Sequence, residues 1–334
     1  MRALAASFPT QLLEGFRAGQ ELAPPAAGRA TPVYAVGMGG SAIAADLARS
    51  VLAAETPLAL TSVRNSELPR AVERKSRVVL VSYSGETWET LRAYDAAGRV
   101  DASRIVITSG GSLAARAERD DVPVLLLPPG MPPRTSVGHV LGGLLGLLDP
   151  WFPESNDARL GRIVARLRRL APQYASARGP AASWARRFVR HLPVVYAESA
   201  FAAVARRWAT QVEENAKSLA EFDEVPELFH NTIVGWDAVP RPEARRYSAA
   251  LLEWVGQLPS TRRGFRHLER LLVQRGVPVG TVALAAEDRL EAIAAGVMFG
   301  DQVSLFLADL RRVDPYPTDA IGRLKSSLEA RPGR

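Results

Sequence analysis

Residues 78–90, VVLVSYSGETWET, constrain the fold more than any other stretch of this chain. Four apolar residues in a row, 78–81, make a short buried strand. Ser82, Ser84, Gly85 and Thr87 then crowd hydroxyls and a conformationally permissive glycine into the turn that follows. A helix starts there: Glu86 and Glu89 occupy its first turn, where the dipole favours acids, and Leu91 and Tyr94 continue an apolar face from Thr87. The three hydroxyls and the free N–H groups of that helix start converge at the carboxyl end of the strand, a place that suits a phosphate. A plainer reading needs no ligand: Ser84 is an N-cap and the other hydroxyls only form the turn.

A second unit of the same kind lies upstream. A strand at residues 33–36 leads into GMGGSAIAADL, residues 37–47, where glycines give way to a helix carrying Ile43, Leu47 and Val51. Ser41 is the only side-chain hydroxyl at that helix start. Gly37, Gly39 and Ala42 also satisfy G-x-G-x-x-A, with Glu55 near the distance of a ribose-binding acid, so a dinucleotide fold is a rival. Against it, the next strand is 58–63, and Glu55 falls before that strand instead of at its end.

The alternation continues along the chain. Residues 8–19 form an amphipathic helix with Leu12, Leu13 and Phe16 on one face, and Pro24 and Pro25 end what precedes them. Strands at 104–108 and 122–127 flank a helix at 112–119. The prolines of PPGMPPRT, residues 128–135, fix an extended loop that delivers Arg134 to the start of an apolar, buried helix at 136–148. Residues 151–157 read as a linker. Beyond it, strands at 194–197 and 277–284 alternate with helices at 199–218, at 264–275 and on to residue 310. Asp314, Pro315 and Pro317 mark a turn before a last helix whose buried face is Ile321, Leu324 and Leu328. Two successive α/β halves of similar length suggest an old duplication.

Composition removes several function classes. With no cysteine there is neither a disulfide framework nor a thiolate metal site. No apolar run approaches the roughly 20 residues of a membrane span, the longest being the glycine-broken 137–148, and the opening residues have no signal-peptide pattern, so a cytosolic protein is expected. The net charge of +7 invites a nucleic-acid reading, but the arginines are spread over the whole chain without a basic arm or an aromatic RNA signature. Neither nucleic acid nor membrane is expected as a partner; the excess charge serves to draw in anionic metabolites.

The paired turns GMGGSA and SYSGET resemble those of the sugar-isomerase (SIS) domain, and a wider set resembles the bifunctional phosphoglucose/phosphomannose isomerase family. That set is GMGGSAIA from Gly37, SYSGETWET from Ser82, PPR from Pro132, EENAK from Glu213, PE followed by HN between Pro226 and Asn231, and DPYPTDAIGRLK from Asp314. It spans nearly the whole chain in order. Ala45 stands where the family usually has glycine, Glu86 where asparagine is frequent, and Thr135, Ser136 and His139 where more apolar residues are usual.

The resemblance implies an α/β fold of two SIS-type domains, each a mainly parallel sheet flanked by helices. Residues 1–150 would be the N-terminal domain with the phosphate site, and 151–334 the C-terminal SIS-like domain with catalytic residues. It implies an aldose–ketose isomerase of sugar 6-phosphates, interconverting fructose 6-phosphate with glucose 6-phosphate and mannose 6-phosphate through a cis-enediolate. No metal or redox cofactor is implied. Gly40, Ser41, Ser82, Ser84 and Thr87 would anchor the phosphate.

Glu214 matches the proton-shuttling base, against the plainer reading of an i,i+3 pair with Lys217. His230 matches a ring-opening residue that related isomerases take from the other subunit, so a homodimer is implied. Lys325, one of three lysines in an arginine-rich chain, matches the second ring-opening residue. Arg134 matches the cation facing the enediolate. Thr318 matches a small residue that leaves space at C2, and is otherwise an N-cap. The alternative from another class is a non-catalytic phosphosugar-binding protein, which would keep the phosphate anchor and need none of Glu214, His230, Arg134 and Lys325.

Overall fold

The computed structural model describes residues 1–23, 31–284 and 286–329. The first half runs α1 (Arg2–Ala6), α2 (Phe8–Glu21), β1 (Val33–Val36), α3 (Gly39–Glu55), β2 (Leu60–Val63), β3 (Arg77–Val81), α4 (Trp88–Arg99), β4 (Ser103–Thr108), α5 (Gly111–Arg119), β5 (Val124–Leu126) and α6 (Val137–Leu147). The second half opens with α7 (Asp157–Ala175), α8 (Pro180–Phe188), β6 (Leu192–Glu198), α9 (Ala202–Ala216), β7 (Glu221–Val225) and α10 (Thr232–Ala238). It closes with α11 (Arg241–Ala244), β8 (Tyr247–Trp254), α12 (Pro259–Arg275), β9 (Val279–Leu284), α13 (Arg289–Arg311) and α14 (Asp319–Glu329).

Among the described residues every strand pairing is parallel. The first sheet has the order β2-β1-β3-β4-β5 and the second β7-β6-β8-β9. In each, the first strand of its half lies between the second and the third, so the chain departs to opposite sides from the pairs β1/β3 and β6/β8. At such a switch point a crevice opens beyond the carboxyl ends of the strands.

Because side chains alternate along a strand, Val78 and Leu80 pack outward with Tyr94 and Leu113, while Val79 and Val81 pack inward. A second outer cluster joins Val194 and Tyr196 to Leu251, Phe265 and Leu272. The inward cluster runs from Phe8 through Leu47, Leu144, Trp208 and Phe299 to Ala308, so the two halves share one core. The expected class, parallel sheets flanked by helices, is borne out.

Several local expectations are corrected. Helix α4 begins at Trp88 with Thr87 as its N-cap residue, so Ser84 is no cap and Glu86 lies before the first turn. Glu86 instead accepts from the backbone N–H of Ser112 at 2.7 Å and from its hydroxyl, at the start of α5. Among the described residues the second sheet has four strands; β7, whose EFDEV carries three acids, and β8, whose YSAALLEW is built largely of helix formers, go beyond what the sequence pattern announces.

Contrary to the expectation that no apolar stretch reaches that length, the 23 residues of α13 are apolar enough for a membrane span, yet its apolar window is wholly buried inside the molecule. Ile321 and Leu324 do not bury a face of α14: they are 46% and 58% exposed. The pair Pro24–Pro25 lies outside the described residues.

Candidate active site

The loops that follow β1 and β3 lie side by side at the first switch point, Val36 being in register with Leu80. A Cβ on Gly37 would sit 3.0 Å from the Val81 carbonyl oxygen, so the two loops touch. In the second loop Ser82 is buried; its hydroxyl donates to Thr87 Oγ1 at 2.8 Å and accepts from Gly85 N at 3.1 Å. Gly85 has φ +71°, and a Cβ there would fall 1.9 Å from the Gly110 carbonyl oxygen, so both its torsion and its space require glycine. Ser84 is exposed and accepts from Glu86 N at 3.2 Å. Ser41 and Gly40 belong to the first turn of α3; the Ser41 N–H donates to the carbonyl of the N-cap residue Met38 at 3.1 Å, and the N–H groups ahead of it have no intrahelical acceptor.

Arg134 joins this edge to the second half of the chain. It sits in a single 3₁₀ turn, Pro133–Thr135, and its Cα lies 3.4 Å from where a Gly40 Cβ would stand. The side chain, only 4% exposed, runs toward the end of α9. There Nε donates to Asn215 Oδ1 at 2.8 Å, and Nη2 donates to the Pro315 and Tyr316 carbonyls, the latter at 3.1 Å. Nη1 is left facing Glu214 Oε2 at 3.6 Å.

Glu214 therefore meets Arg134, not Lys217. The Lys217 ammonium donates to the Glu214 and Pro317 carbonyl oxygens, and the side-chain pair expected of a plain i,i+3 contact is not formed. Among the described residues the Glu214 carboxylate accepts no hydrogen bond. Burial raises its pKa, while Arg134, Arg207 and Lys217 pull it back. Burial and the nearby Arg134 lower the Lys217 pKa. Glu213 is exposed and takes a backbone hydrogen bond from Ala220, as its place on the other side of the helix requires.

Behind this pair lies a polar group that sequence reasoning missed. Arg207, Gln211 and Asn215 are each at most 3% exposed and recur every four residues along α9. That spacing was the available signal; it reads equally as a solvated stripe. Arg207 pairs with Asp301 of α13 through Nε–Oδ1 at 2.9 Å and Nη2–Oδ2 at 2.7 Å, and also donates to the Arg134 carbonyl at 3.0 Å.

The remaining sequence candidates are dispersed. His230 is exposed in the short 3₁₀ turn Glu227–His230 after the edge strand β7, and makes no hydrogen bond or ion pair among the described residues. Thr318 is half-buried directly before α14; its hydroxyl caps nothing among the described residues, while its carbonyl accepts from Ile321 N at 2.9 Å. Lys325 lies on α14, and its side chain is outside what the structure describes. The rival ribose-binding acid, Glu55, is held in an ion pair with Arg159, whose Nη2 lies 2.9 Å from Oε1. Buried His139 bonds Glu14 Oε2 at 3.2 Å.

Two doubly wound parallel sheets with hydroxyl-lined helix starts at one switch point define a SIS-type α/β protein. The solved tagatose-6-phosphate ketose/aldose isomerase of Escherichia coli has the same fold, with TM-score 0.70 at 18% identity over 94% of each chain. Residues 177–328 match the family described as the bacterial phospho-glucose isomerase C-terminal SIS domain. The chain is 33% identical, over 89% of each sequence, to a bifunctional phosphoglucose/phosphomannose isomerase of Caldicellulosiruptor bescii. It is 32% identical to one of Aquifex aeolicus, over 88% of this chain and 89% of that protein. It belongs to the bifunctional phosphoglucose/phosphomannose isomerase family and is an isomerase.

Proposed function

We propose that the chain interconverts fructose 6-phosphate with glucose 6-phosphate and with mannose 6-phosphate, by proton transfer through a cis-enediolate. The observation that carries this reading is the Arg134–Glu214 pair at 3.6 Å, with Arg134 rooted against the α3 start. It stands a cation and a carboxylate free of hydrogen bonds beside a neutral, hydroxyl-rich anion cradle. Neutral donors of Gly40, Ser41, Ser82, Ser84 and Thr87 hold the phosphate dianion without long flexible ion pairs.

Glu214 takes the proton from C2 of the aldose and returns it to C1; burial strengthens it as a base while the surrounding cations keep it ionised. Arg134 steadies the negative charge on the enediolate oxygens. His230 and Lys325 open the ring, His230 from the partner subunit of a homodimer, in keeping with its free ring and exposed position. Thr318 leaves room at C2 for either epimer. In this reading residues 1–150 supply the phosphate site and 151–334 the proton-transfer groups, and the enzyme works in the cytoplasm without a cofactor.

A coupled assay of the purified protein with each aldose 6-phosphate tests the reading, together with exchange of the C2 proton in deuterated solvent. Turnover of both sugars with exchange is expected. Binding of either sugar without turnover or exchange would make this a phosphosugar-binding protein instead.

A further inference from the structure

The Arg134 guanidinium is held on three of its donors and on its own backbone, and the groups that hold it close into a circuit. Asn215 can offer its oxygen to Nε only because its amide is fixed: Nδ2 donates to Ser304 Oγ at 2.9 Å and to Gln211 Oε1 at 3.3 Å. Ser304 is itself fixed, its hydroxyl donating to the Asp301 carbonyl at 2.7 Å. The Asp301 carboxylate takes both arms of Arg207, and Arg207 returns to the Arg134 carbonyl. Arg207, Asn215 and Ser304 are at most 2% exposed.

A buried ion pair is poor at adding stability, because desolvating both charges offsets most of their attraction. A polar circuit inside an otherwise apolar contact of α9 with α13 is better accounted for by what it orients. It occupies Nε and steadies the backbone of the turn, while the 315 and 316 carbonyls occupy Nη2, so that only Nη1 is presented to Glu214.

We infer that Asn215, Ser304 and the Arg207–Asp301 pair are positioning residues that set the orientation of the Arg134 guanidinium toward Glu214 and the reacting oxygens. This deepens the proposed function and rests on its assignment of Arg134 and Glu214. Asn215, Ser304 and Asp301 act through Arg134; Arg207 does so through its hydrogen bond to the Arg134 carbonyl, besides its own attraction for the Glu214 carboxylate.

The test compares Asn215→Leu, which keeps the branched heavy-atom shape and removes the hydrogen bonds, with Ser304→Ala, a small deletion that leaves the Asn215 amide held only by Gln211 at 3.3 Å, in the whole chain. Expected for Asn215→Leu is a fall in kcat of about tenfold or more with KM within twofold, and for Ser304→Ala a smaller fall of a few fold. The acid limb of the kcat/KM–pH profile should also move to higher pH. Arg134 lowers the Glu214 pKa, so a guanidinium that wanders lets it rise. The other charges around Glu214, namely Arg207, Lys217 and Glu213, are unchanged in both variants.

A merely structural role would lower thermal stability and leave kcat per folded molecule and the acid limb where they are, and that outcome overturns the inference. Should Asn215→Leu fail to fold, Ser304→Ala alone decides on the same two readouts. Glu214→Gln, run in parallel, separates the two levels. If it loses activity while both positioning variants keep theirs, only the positioning role is wrong; if it retains activity, the site reading fails and takes this one with it.

Discussion

At the carboxyl edge of the first sheet the chain leaves β1 and β3 through residues 37–40 and 82–87; at the same edge of the second it leaves β6 and β8 through 198–201 and 254–257. The first pair of loops is glycine and hydroxyl. The second is closed by its own side chains: Trp254 packs on Phe201 with ring centroids 5.2 Å apart, its indole N–H donates to the Glu198 carboxylate, and Arg289 lies 5.8 Å from its ring centroid. Gly256 is pressed against the same indole, 2.1 Å separating its would-be Cβ from the ring. One strand order thus yields a pair of glycine and hydroxyl loops in one half and, in the other, a β6/β8 crevice filled by its own side chains. Topology makes the crevice, and the residues at the strand ends decide whether anything can enter it.

The sharpest way to break this contrast is through its two half-buried carboxylates. Burial raises the pKa of Glu214 and of Glu198 alike. Glu214→Gln should lower kcat by on the order of a hundredfold or more with little change in KM, because it removes the proposed proton-transfer group. Glu198→Gln and the exposed control Glu213→Gln should stay within about twofold, since the proposed mechanism gives neither a contact in the transition state. A comparable loss in Glu198→Gln would bring the plugged crevice into the chemistry.

A smaller effect is expected at the loops themselves. Ser84→Ala and Thr87→Ala should each raise KM for sugar phosphates about tenfold, the worth of a hydrogen bond to a charged group, with the fold retained. Ser199, whose hydroxyl donates to the Val225 carbonyl at 3.1 Å just after β6, is the counterpart in the other half. Ser199→Ala should leave KM unchanged. Steady-state kinetics on the three variants checks this, and an unchanged KM in both first-half variants would remove the phosphate from this edge.

The first sheet's pair of strand-to-helix turns was legible because β1 and β3 carry apolar runs that end in glycine and serine. The second was not. In β8 the residues Ala249, Ala250, Leu251 and Leu252 prefer helix, and only burial between β6 and β9 makes them a strand. Arg134 and Glu214 were named through motif resemblance; their contact joins residues 80 positions apart and no periodicity announces it. The circuit through Arg207 and Asn215 stayed hidden because polar residues at helical spacing ordinarily face water. The apolar side chains of α14 misled for the converse reason: their spacing promised a buried face that Ile321 and Leu324 do not have within one chain.

The smallest effect concerns stability, and its sign follows from burial. A carboxyl whose folded-state pKa lies above the ordinary value, 4.5 for glutamate, binds its proton more tightly in the folded chain than in the unfolded one. Its contribution is fully present below about pH 4.5 and is lost as the pH rises through the folded-state value. Glu198 qualifies because desolvation by burial outweighs the help of the Trp254 indole N–H, Arg289 and Arg262. Chemical denaturation of the wild type and Glu198→Gln between about pH 4 and pH 7 isolates this carboxyl from the others that titrate in that range. The difference in unfolding free energy should shift in favour of the variant as the pH rises, because glutamine has no charge to desolvate. A difference independent of pH would mean that Glu198 ionises as freely in the folded chain as in the unfolded one. The second crevice would then be open to water, and the contrast between the two sheets would rest on hydroxyls alone.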